Sequence, residues 1–213
     1  MLNEKMKKFG CVLAAAALTV MAGPVHAAII ASYAGPGTFN GDLASVLTLP
    51  NVSIGQEGRV DLKFKADNTT GPGTLWWMVD ANDNLGEYRL GLESNKIKAF
   101  LGDGHTYQVN WTSTFDFTDT ENWHTLSLAW KQGQDTQITV DGTTYNVANA
   151  FALNAFTSNN NVLGGLIYKT TQTYYYDGQL SDVVIRDTYA VPEPASLALL
   201  TLGGLALLRR RRG

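Results

Sequence analysis

The 213-residue chain holds one cysteine, three histidines and only 16 % charged residues. Cys11 falls in a stretch read below as a leader, so the rest of the chain has neither a disulfide nor a thiol nucleophile. His26 falls in the same leader. His105, in the turn Gly102-Asp-Gly-His105, and His124 are far apart and lack cysteine neighbours, which argues against a zinc site. No Gly-x-Ser-x-Gly elbow and no phosphate-binding loop occur. Positive charge is scarce in the middle of the chain. Of 16 Lys+Arg and 19 Asp+Glu, seven basic residues (Lys5, Lys7, Lys8, Arg209 to Arg212) and two acidic ones (Glu4, Glu193) lie at the ends. That leaves 9 basic against 17 acidic residues, a net of −8, in the 163 residues between. Such a surface repels phosphate backbones and anionic lipid, which speaks against nucleic acid as a partner. No run of ten or more residues in this body has helical spacing.

The two ends read as addresses. Lys5, Lys7 and Lys8 precede an uncharged apolar run, Phe9 to Ala22; Gly23-Pro24 breaks it, and Val25-His26-Ala27 offers small residues at −3 and −1. Residues 1–27 are therefore expected to be a secretory signal peptide. At the other end Val191-Pro192-Glu193-Pro194 is followed by fourteen uncharged residues, Ala195 to Leu208, then Arg209, Arg210, Arg211 and Arg212. The prolines end the last strand and leave an extended segment open. Fourteen helical residues span about 21 Å, short of the ~30 Å hydrocarbon core. The arginines would keep the tail cytoplasmic while the body is exported. A weak span with a strong stop suits transient membrane anchoring before cleavage.

The body reads as strands. Val60, Leu62 and Phe64 alternate with charged residues, as do Tyr88, Leu90 and Leu92, then Ile97, Ala99 and Leu101; Leu126, Leu128 and Trp130 repeat the pattern. Asp141-Gly142, between two β-rich stretches, signals a two-residue hairpin, and Asp103-Gly104 and Asp177-Gly178 are further turn candidates. About a dozen short strands at this spacing indicate an all-β, antiparallel two-sheet sandwich over 28–190.

Two resemblances follow. Pro192-Glu193-Pro194, the apolar helix and the arginine cluster, in that order over 191–213, resemble the PEP-CTERM sorting signal of Gram-negative bacteria. That resemblance implies processing by an exosortase, a membrane cysteine protease, for which these residues are substrate. It also implies export to the envelope, outer surface or exopolysaccharide layer. In the body, Trp123-His124, Val140-Asp-Gly142, Gly164-Gly165 and Gly178-Gln-Leu-Ser-Asp-Val-Val-Ile185 stand in the order found in laminin-G-like, concanavalin-A-like jelly rolls, over roughly 30–187. The cysteine pair of many animal members is absent.

Three chemistries are conceivable for such a body. Retaining glucanases on this fold carry Glu-x-Asp-x-x-Glu; the body has only Glu57, Glu87, Glu93 and Glu121, and none forms that pattern, so no catalytic residue is assigned. His124 reads as a base or as a half-buried structural histidine beside a core Trp123. Asp80, Asp83 and Glu87 form a hard-oxygen cluster suited to Ca2+, such as laminin-G-like domains often hold at a rim, or simply a polar turn. Adjacent aromatics must split between strand faces. Trp76 or Trp77, Tyr175 among Tyr174 to Tyr176, and Trp111 are thus candidates for stacking on sugar, or are rings covered by the fold. The expectation is an exported, non-catalytic jelly-roll protein, with glycan or exopolysaccharide as partner. The alternatives are a glycan hydrolase and a ligand-free matrix protein.

Overall fold

The structure, a computed structural model, describes residues 27–80, 86–102, 107–148, 153, 155–168 and 171–189. Cys11, His26, Asp83, Asp103-Gly104, His105 and the whole sorting segment from Val191 to Gly213, with its Pro-Glu-Pro motif and arginines, lie outside the described residues.

Period-two alternation fixes which face of most strands turns inward, and the described residues form sixteen strands. They are β1 (Ile29–Tyr33), β2 (Gly37–Asn40), β3 (Leu47–Thr48), β4 (Ser53–Ile54), β5 (Glu57–Ala66), β6 (Gly73–Asp80), β7 (Glu87–Glu93) and β8 (Lys96–Gly102). Then come β9 (Tyr107–Thr112), β10 (His124–Lys131), β11 (Thr136–Val140), β12 (Thr143–Val147), β13 (Phe156–Leu163), β14 (Leu166–Tyr168), β15 (Thr171–Thr173) and β16 (Asp177–Arg186). One antiparallel sheet has the order β1-β16-β5-β10-β11-β12, with β2 also on β16; the other has β3-β13-β6-β7-β8-β9, with β4 also on β13. β14 and β15 form a separate hairpin. The body is an all-β, two-sheet sandwich, and residues 27–191 form one compact unit.

The inward residues are those the alternation selected. Val60, Leu62 and Phe64 of β5, Tyr88, Leu90 and Leu92 of β7, Ile97, Ala99 and Leu101 of β8, and Leu126, Leu128 and Trp130 of β10 are buried in one core cluster. Tyr88 joins Trp130 and Phe156 edge-on, at centroid distances of 4.9 and 5.2 Å. Burying aromatic rings in such pairs stabilises beyond area alone, by about 0.5–1.5 kcal/mol each.

β6 departs from alternation, because all eight of its residues are buried. Trp76 and Met78 join the main core. On the opposite face Trp77 and Val79 pack with Val162, Leu166 and Val46. That apolar run is therefore a central strand covered on both faces.

The turns follow local chemistry. Asp141 (φ 46) and Gly142 (φ 80) close the β11–β12 hairpin with both central residues left-handed, as do Ser94 (φ 53) and Asn95 (φ 60) between β7 and β8. Asp177-Gly178 is not a turn: it opens β16, facing Asn40 and Phe39 of β2. Its turn-like composition was overruled because β16 is paired on both sides, with β2 and β5 there. On the first sheet's outer face Asp61 of β5 binds Arg59, Ser127 of β10 and Arg186 of β16, tying three strands together. The two ends of the body meet: Ile29 faces Arg186, and the Ala28 amide donates to Asp187 Oδ1 at 2.9 Å.

Candidate functional site

The aromatic candidates separate sharply by burial. Trp76 and Trp77 do point to opposite faces, yet both are covered, at 0 % and 1 % exposure. The Trp76 indole donates to Asn161 Oδ1 at 3.0 Å and that of Trp77 to Glu87 Oε1 at 3.1 Å. Neither offers a ring face to a sugar, which corrects that expectation; β6 is covered by the opposite sheet on one side and by Val162, Leu166 and Val46 on the other. Trp111 is half-buried against the Tyr145 ring at 5.4 Å. Of the three consecutive tyrosines, Tyr176 is fully buried, Tyr175 is half-buried, and Tyr174 is exposed at 37 %. The open ring of the trio is thus Tyr174 rather than Tyr175. Trp123 is also exposed, at 42 %, because β10 begins only at His124; it is not a core residue.

Tyr174 belongs to a shallow groove on the outer face of the second sheet. Its carbonyl accepts the Thr74 amide at 2.8 Å, which fixes it beside β6 in a left-handed conformation (φ 73). Period two places Arg89 and Glu93 of β7 and Lys98 and Phe100 of β8 on this face, with Arg89 opposite Phe100 in register. The Arg89 guanidinium carbon lies 4.1 Å from the Phe100 ring centre and 5.3 Å from that of Tyr174, a cation held between two rings. Gly73, Thr74 and Gly91 line the groove as well. A Cβ on Gly91 would stand 2.7 Å from the Gly73 carbonyl oxygen, so only glycine permits that close approach. The groove is open to solvent. Lys98 and Glu93 pair at one end of it.

Of the expected calcium cluster, Asp83 lies outside the described residues, and Asp80 and Glu87 stand at the facing ends of β6 and β7. Asp80 ends β6 and is 3 % exposed, while Glu87 begins β7 and takes the Trp77 indole. No group of three or more His, Cys, Asp or Glu converges to hold a metal ion among the described residues.

His124 is clamped rather than poised. Its Nδ1 lies 2.7 Å from Asp141 Oδ2 and its Nε2 3.4 Å from Asp119 Oδ2, with Phe117 and Phe64 ring centres at 4.7 and 5.6 Å. The Asn122 side chain and the Glu121 and Asn122 amides donate to Asp119 and hold its carboxyl at about 2. The imidazole links the β11–β12 turn to the loop before β10 and faces no groove among the described residues.

Solved structures with similar folds include a laminin-G segment of the mouse laminin alpha1 chain (TM-score 0.55, 15 % identity, covering 78 % of this chain and 44 % of that one). They also include domain 4 of the arabinanase AbnA from Geobacillus stearothermophilus, solved with arabinotriose (0.54, 18 %, 76 % of each). A third is the NanB sialidase of Streptococcus pneumoniae (0.56, 14 %, 75 % and 26 %). The chain spans less than half of the laminin and sialidase chains it matches. At these identities the likeness is one of fold, and the fold is a laminin-G-like jelly roll. A comparison with curated proteins gives no match. Residues 190–212 match the PEP-CTERM protein-sorting motif. The chain therefore carries the address of an exported protein that exosortase processes and sorts to the cell envelope. Among the described residues no helix is long and apolar enough to cross a membrane.

Proposed function

We propose that the jelly roll is a non-catalytic glycan-binding module, displayed at the surface or in the exopolysaccharide of a Gram-negative cell. The observation that carries this reading is the exposed Tyr174 ring beside an Arg89 guanidinium, on the outer face of the second sheet. Tyrosine rings present flat apolar area at low entropic cost and so suit sugar faces. A likeness to an arabinanase domain solved with arabinotriose agrees with this reading but bears on fold alone.

Carboxylate geometry favours binding over hydrolysis. Glu87 and Glu93 share a face of β7 but stand six residues apart, about 20 Å at ~3.4 Å per residue. Glycosidase pairs stand about 5–9.5 Å apart. Both are also engaged, Glu87 by the Trp77 indole and Glu93 by Lys98.

The test is a glycan array probed with the purified full-length protein and with Tyr174→Ala. Binding to at least one glycan class, weakened at least tenfold in Tyr174→Ala, is expected. Absence of binding by the unsubstituted protein would sink the proposal in favour of a ligand-free matrix protein.

A further inference from the structure

Resting on that reading, we infer that the groove takes an acidic sugar, with a uronic-acid carboxylate on Arg89 and the sugar ring against Tyr174. Two of the other cations on this face are paired. Lys96 pairs with Asp116 at 2.9 Å and Lys98 pairs with Glu93. Arg89 makes no ion pair among the described residues, although it is half-buried in a body whose net charge is −8. A cation taken partly out of water without a counter-charge costs free energy, and an incoming anion relieves that cost.

The rings of Phe100 and Tyr174 hold the guanidinium without accepting any of its five N–H donors. Those donors form a planar fork that matches a carboxylate two by two, which a lysine would not do. The groove is shallow and open, so it would touch one sugar residue of a chain that continues into solvent rather than enclose it.

The full-length protein is titrated against polygalacturonate, its methyl ester, neutral dextran and dextran sulfate at equal chain length and ionic strength. Tight binding to polygalacturonate alone is expected, with affinity falling roughly 10- to 100-fold in Arg89→Gln, the worth of a hydrogen bond to a charged group. Arg89→Lys, which keeps the charge but loses the fork, should recover only part of that loss. Equal binding to the methyl ester or dextran overturns the acidic-sugar assignment while the glycan reading stands. Equal binding to dextran sulfate means unselective attraction of anions and also overturns it. Binding to none of the four, with no glycan bound on the array, overturns both. Should Arg89→Gln fail to fold, the acid-against-ester comparison on the unsubstituted protein still decides.

Discussion

Asn161 offers the sharpest test of how the core is held. It is fully buried in β13, where its Oδ1 accepts the Trp76 indole N–H at 3.0 Å and its Nδ2 donates to the Pro50 carbonyl at 2.9 Å. One amide thereby satisfies a central strand and the edge segment before β4. Asn161→Ala strands the buried Trp76 indole N–H and leaves the part-buried Pro50 carbonyl without its donor. The orphaned indole costs about 1–3 kcal/mol and the carbonyl adds less, so a loss of about 1–4 kcal/mol is expected. Against the ~5–15 kcal/mol of a typical domain that is severe. Urea unfolding followed by tryptophan fluorescence reads it directly; at a slope of ~2 kcal/mol per molar, the midpoint falls by about 0.5–2 M. Trp76→Phe in a double-mutant cycle isolates the shared bond, because the second substitution has less left to break. Coupling of at least ~1 kcal/mol is expected. If the two losses instead add within ~0.5 kcal/mol, the Trp76–Asn161 bond contributes nothing and the reasoning fails.

Burial pushes the Tyr88 phenol well above the ordinary tyrosine range, and burial followed by Asp67 and Asp177 does so for Tyr176. A raised folded value means stability is fully present below the unfolded pKa of ~10 and is lost as pH climbs toward the folded values. Alkaline unfolding should therefore accompany ionisation of these two phenols; if all tyrosinate absorbance develops near pH 10 with native circular dichroism retained, the burial assignment is wrong. Gly164 follows β13 at φ +78, and a Cβ there would stand 1.9 Å from Phe39 Cδ1. Gly164→Ala combines a left-handed penalty with overpacking, each about 1–3 kcal/mol, and should lower the thermal midpoint by several degrees; an unchanged midpoint would refute it.

The core was legible in the sequence because period two survives wherever one face is wet. Val60, Leu62 and Phe64 could be assigned inward with no knowledge of their neighbours. β6 could not be resolved this way, since a strand covered on both faces shows no alternation and leaves the fate of Trp77 to distant Val162 and Leu166. The groove escaped for a related reason. Arg89 and Phe100 fall on the outward phase of adjacent strands, but their meeting depends on the β7–β8 register, and Tyr174 arrives from a segment about seventy-five residues away. The outward phase of β7 was the one signal that pointed there. At Asp177-Gly178 local turn chemistry misled, because pairing to two strands outweighs the preference of two residues.

The pairing of β1 with β16 bears on when folding can finish. β16, the last strand of the body, inserts between β1 and β5, so the first sheet stays split until residues 177–186 arrive. An exported chain crosses its membrane from the N-terminus, and most of the sandwich emerges before the strand that seals it. Bringing the ends of so long a loop together is slow, and unsealed strand edges invite mispairing. Since β16 is the last element before the sorting motif, a pause of the chain at that motif would come just after the sealing strand is delivered. Maturation by cleavage would then act on a body able to close, and premature truncation ahead of Asp177 would release an open sheet.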